Sequence, residues 1–383
     1  MILSYLKRTF LYIFPFLLFL LTVPFTVSCF SASDDVTIKG DTIQMHESSL
    51  LTMVECEDYT VVDVRNPWNG SRMDRYLLVP KGEALPSDLP SGVVIRTPLE
   101  SCVLFSGIHA MLFEELAEAD CIKGVCDADY IYSDAVIRGL QDGTVTDCGS
   151  SLDVDMERLV EVDAEAIFVL PYENGGYGKL ERMKVPLVEC ADYMENSALG
   201  CAEWVRFYAR LLGEGSLGDS IFNSVRDEYM ELKSMAAAAK ERPRLMCELK
   251  GSSAWYVPGG CSTMGNLYAD AGADYIFASN RSNGSVPLAY EVVLDKASDA
   301  DVWLLKYNSA IEKSKTSLLA EFNGYANFKP FRNGEVYACN TARKRVFEAT
   351  AFHPERLLRE LISIFHPGIL PGYMPVYYEK MPE

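Results

Sequence analysis

Aromatic side chains gather on the segments that separate short apolar runs: Tyr130 and Tyr132, Tyr172 and Tyr177, Trp255 and Tyr256. Such rings pack against flat or greasy molecules, and their polar tips add directional hydrogen bonds. Beside them stand Ser106 and His109, after one apolar run, and Glu173 and Asn174 in the glycine-rich stretch 171–178. The basic run Arg343, Lys344, Arg345 can pair with carboxylates or with an anionic chelate. His109 can ligate haem iron, as Tyr172 can; capping or packing beside the adjoining helix is its plainer role. His353 and His366 read as structural.

Catalytic patterns are missing. The chain has no Gly-x-Ser-x-Gly elbow and no His-Glu-x-x-His, and its four histidines lie far apart. The stretch 171–178 lacks the Gly-Lys-Ser/Thr ending of a phosphate-binding loop, which argues against nucleotides. No Cys-x-x-Cys occurs among eleven cysteines, so spacing offers no structural zinc site, and most thiols read as small buried apolar groups. Asp192 and Glu195 read as capping or preceding the helix near 202–212. An exported α/β hydrolase is the rival class, and a ligand-scavenging surface lipoprotein without a transporter is the second rival.

The elements that position these groups follow from hydrophobic periodicity. Residues 36–100 read as strands and turns, with runs at 59–64 and 76–80. From about residue 93, short apolar strands alternate with helices, the pattern of a doubly wound α/β sheet. Strands are expected at 102–105, 121–125 and 166–170, with a loop at 106–109 and helices at 110–119 and 157–162. The script then repeats: strand 244–249, loop 250–260, helix 266–271, strand 273–277, helix 291–297, strand 302–305. Residues 157–166 and 291–300 align without a gap, which points to two lobes of like architecture. Between them, Ile221, Val225, Tyr229 and Leu232 fall at helical spacing, and Pro243 ends the run, predicting one connecting helix over 219–242. A single-helix strut implies small closure motions.

The N-terminus carries export chemistry. Lys7 and Arg8 precede an apolar run to Phe25, and small residues lead into Cys29. The segment resembles a bacterial lipoprotein signal, which implies cleavage and a lipid on Cys29, although Thr26 stands where that motif carries Leu. A plain secretory signal and a retained membrane helix are the competing readings. Removing residues 1–28, with two bases and no acid, takes the formal charge from −19 to −21. So acidic a chain does not suit nucleic acid.

These residues together resemble the substrate-binding lipoproteins of iron-chelate and cobalamin ABC uptake systems. The similar stretches are 149–167, then 256–260 with 267–273, and finally 355–373. The likeness covers about residues 95–375, and residues 36–95 have no counterpart. The resemblance implies a non-enzymatic monomer with no resident cofactor. It further implies a siderophore, haem or cobalamin held between the lobes beyond the strand ends, and an ABC permease as partner. It also implies that Glu157 and Glu291 project from the lobe tops to meet permease arginines; the plainer role is an acid in each helix's first turn. The expected layout is signal 1–28, tether 29–40, first lobe 41–215, connecting helix 216–242 and second lobe 243–383.

Overall fold

A computed structural model describes residues 38–383, so Cys29, the signal and most of the tether lie outside the described residues. Five strands come first: Asp41–Ile43, Leu51–Glu55, Thr60–Arg65, Arg72–Pro80 and Val93–Thr97. They form one sheet in chain order, antiparallel except for the last pair, which is parallel. Alternation explains its sidedness. Leu51 and Met53 are buried while Thr52 is exposed. Tyr76, fully buried, stacks on Phe207 at 5.7 Å and so fixes this sheet to the first lobe.

The first lobe is a parallel sheet with spatial order Leu187–Glu189, Ala166–Val169, Cys102–Leu104, Ile122–Val125, Thr146–Asp147. Ala166–Val169 is buried throughout, as a strand covered on both faces must be. The second lobe repeats the plan. Asp274–Tyr275, Arg244–Cys247, Val302–Tyr307 and Val336–Asn340 run parallel, and Glu379–Lys380 adds an antiparallel edge.

The connecting helix occupies Gly215–Ala237, about 34 Å at the usual rise. It starts four residues before the sequence-based expectation and stops five short of it. Ala236 is its last buried residue, and none of residues 237–243 is buried on the approach to Pro243. The lobes also touch directly. Helix Val346–Thr350 of the second lobe packs on helix Gly107–Glu115 of the first. Arg345 lies 5.5 Å over the Tyr132 ring and 3.8 Å from Asp134. His353 sits 2.8 Å from Glu115 and 3.0 Å from Glu355. Burial works to lower the His353 pKa, but the two carboxylates outweigh it and lift it to about 9. Thr263 Oγ1 donates to the Glu195 carbonyl at 2.7 Å. A helical strut and these seams are the features on which the expectation of small closure motions rests.

Two segments differ from expectation. The loop placed at 250–260 contains the strand Trp255–Pro258, paired antiparallel with Ser285–Leu288. The loop placed at 106–109 is already helix from Gly107, because the Ser106 hydroxyl caps it by accepting from Ile108 N.

Candidate functional site

The carboxyl ends of neighbouring strands Cys102–Leu104 and Ala166–Val169 open on a cavity of about 380 Å³. Open α/β sheets hold ligands at this edge. Its walls come from Phe105 and Leu170 at the strand ends, Leu152 before helix Met156–Val162 and Met156 at its start, and Tyr172 and Tyr177. The Tyr177 hydroxyl donates to Glu189 Oε1 at 2.9 Å and approaches the Leu170 carbonyl at 3.2 Å, which fixes its ring. Tyr172 lies 6.0 Å from that ring and is 46 % exposed. The mouth is therefore one held and one free aromatic, with Asp153 and Lys179 as its charged groups.

Behind Tyr177 sits an acid pair. Glu189 has Asp74, from the first sheet, within hydrogen-bond reach; burial and then the Asp74 charge push its pKa up to about 7. Burial raises Asp74 as well. A raised carboxyl contributes stability below its unfolded value near 4.5 and loses it as pH climbs through about 7. We expect the wild type to lose on the order of 1–2 kcal/mol across that window, allowing for partial solvent screening. Glu189→Gln should flatten that slope. Urea unfolding at several pH values measures it, and parallel profiles for the two proteins would refute the assignment.

The residues singled out in the sequence divide into three groups. Tyr172 lines the cavity, Glu173 and Asn174 are exposed beside it, and Tyr130 and Tyr256 are exposed at 69 % and 49 %. Ser106 caps a helix. Arg345 spans the lobes, while Arg343 pairs with Glu312 at 3.2 Å and Lys344 with Glu379 at 2.7 Å, so the basic run is matched internally. Trp255 and His109 are corrections. Trp255 is fully buried; its indole N–H donates to the Cys247 carbonyl, and its ring packs on Trp303 and Phe328. It offers no surface to a ligand.

His109 is also buried, with Nε2 2.9 Å from Asp192 Oδ2. Burial works to lower its pKa, but Cys190 and Asp192 outweigh this and raise it to about 10. Asp192 is therefore a buried partner of His109 and Tyr208, and Glu195 binds the chain at 48–50; both precede helices Ala198–Glu203 and Val205–Leu211, as expected, and Ser197 rather than either acid caps the first of these. Sequence reading missed Tyr193, half exposed with its hydroxyl 3.5 Å from the Pro171 carbonyl. Its place after a strand end was the available signal.

Glu157 and Glu291 are both exposed, and each is the second residue of its helix, Met156–Val162 and Tyr290–Ala297.

Comparison with known proteins agrees with this architecture. A lipoprotein of Methanocaldococcus jannaschii is 25 % identical over 349 residues, covering 83 % of this chain and 81 % of that protein. A second lipoprotein from the same organism is 22 % identical and covers 80 % of each chain. Among solved structures, a periplasmic haem-binding protein from Pseudomonas aeruginosa is 14 % identical. It superposes with a TM-score of 0.57, covering 74 % of this chain and 99 % of that one. The vitamin B12-binding protein of Vibrio cholerae, 13 % identical, gives 0.50 over 70 % of this chain and 97 % of its own. At these identities the structures speak for the fold alone. The model of the periplasmic binding protein family matches residues 114–342, more than half of the sequence, and the chain belongs to that family.

Proposed function

We propose that this chain is a lipid-anchored substrate-binding protein that hands an iron chelate, as a siderophore or haem, or cobalamin to an ABC importer. The observation that carries the reading is the cavity at the carboxyl edge of the first-lobe sheet, walled by Tyr172, Tyr177, Phe105 and Met156. Aromatic and aliphatic walls with few charges suit a large, flat or greasy ligand. The solved structures of the same fold include proteins described as haem-binding and vitamin B12-binding, which supports this ligand class. The lipoprotein relatives support an anchor at Cys29. Cys29→Ser should move the protein from the detergent-extracted membrane fraction to the soluble one; unchanged membrane association would point to a retained helix.

The ligand test is calorimetric titration of the mature chain with haem, cobalamin and ferric siderophores. One ligand class should bind one-to-one at about 1 μM or tighter. Tyr172→Ala should weaken it about tenfold by removing a free ring at the mouth. Binding by no member of the panel would sink the proposal.

A further inference from the structure

We propose that His109, Cys190 and Asp192 form a binding site for one divalent transition-metal ion, with Zn²⁺ the best match to the donors. One ligand atom from each residue lies within 4.8 Å of the others, and all three side chains are buried. The set mixes imidazole nitrogen, thiolate sulfur and carboxylate oxygen, the ligand types that zinc takes together. A thiolate and a carboxylate cancel the double charge of the ion, and imidazole adds none. The loaded site is therefore neutral, as its surroundings require: the rings of Phe168, Tyr208 and Phe352 lie 6.4, 5.0 and 6.1 Å from the His109 ring.

His109 Nε2 and Asp192 Oδ2 face one another at 2.9 Å, close to the separation of two ligands on one ion, so the imidazole would bind through Nε2. Tyr208 supplies the outer support found around metal carboxylates, donating to Asp192 Oδ2 at 2.5 Å. The topology says what an ion would hold together. His109 follows strand Cys102–Leu104, and Cys190 and Asp192 follow strand Leu187–Glu189. These two strands flank Ala166–Val169 on either side, so the ion would staple the carboxyl edge of the sheet across its central strand. A separation of 83 residues between His109 and Asp192 hides the set from any motif search. Binding would displace the protons held by the ligand side chains, with no change of oxidation state.

The test titrates the metal-free mature chain with Co²⁺. The exposed thiol Cys261 is replaced by Ser throughout, so that it contributes nothing. One equivalent should bind with a sulfur-to-cobalt charge-transfer band in the near ultraviolet, and Zn²⁺ should bleach it. Cys190→Ser should abolish the band. Tyr208→Phe, which keeps the ring, should weaken Co²⁺ about tenfold. Absence of a stoichiometric band in the otherwise unaltered protein overturns the proposal without reference to any variant's folding. A band that survives Cys190→Ser places the metal elsewhere and overturns it equally.

Discussion

Glu203→Ala is expected to destabilise the protein by about 3–5 kcal/mol, the range for a buried charged hydrogen-bond partner removed from its network. The Glu203 carboxylate is fully buried and accepts from three consecutive backbone amides. His46 N lies at 2.9 Å, and Glu47 N and Ser48 N at 2.8 Å each. Arg206 adds a fourth donor at 3.0 Å. Glu195 continues the grip, accepting from Ser49 N, Leu50 N and the Trp204 indole. The turn 46–50 is thus folded around two carboxylates that lie about 150 residues away. Alanine would leave three amides and a guanidinium facing a small cavity. Urea unfolding should show the loss, and limited proteolysis should show early cleavage near residues 44–58. A change below about 1 kcal/mol would mean that water replaces the carboxylate readily and that the first sheet is held by apolar contacts alone.

That contact also shows where sequence reading stops. The alternation of buried runs such as Ala166–Val169 with helices made the α/β class legible, because burial on both faces imprints a continuous apolar run. Residues 59–64 and 76–80 were legible as strands, but their attachment through Glu195, Glu203 and Tyr76 was not, since a carboxylate's partner has no local signature. Trp255 was misplaced for a legible reason. In Trp-Tyr-Val-Pro, period-two alternation puts Trp255 and Val257 inside and Tyr256 outside, and treating the segment as loop discarded that information. His109 was misplaced because a Ser N-cap starts the helix early and turns the histidine inward. The position of the tyrosines of 171–178 at the sheet's carboxyl edge was legible because a turn that follows a strand must lie there. The basic run 343–345 was legible as charge but not as Arg345's cross-lobe contact, which depends on how the lobes meet.

The double change Glu157→Arg with Glu291→Arg is expected to abolish uptake while leaving ligand affinity within about twofold. Each glutamate is exposed in the first turn of a helix that leads into a parallel strand of its own lobe. Among the described residues neither forms an ion pair, so both charges are available to a partner. The equivalence of the two helices across the lobes supports the docking assignment, and the rigid strut with its cross-lobe seams would keep the two acids at a fixed spacing. Two charges held at a set distance select orientation and association rate more than tightness, which is what a shuttle between free and docked states needs. If each acid meets a permease arginine, reversing both would convert attraction into repulsion at two points at once, whereas a single reversal should leave partial transport. Glu157 adjoins Met156 at the cavity, so calorimetry on the same double variant separates the roles. Normal uptake would defeat the docking assignment. Lost ligand binding together with lost uptake would assign these acids to the cavity or the fold instead, and a charge-neutral pair, Glu157→Gln with Glu291→Gln, would then retain the fold while showing which.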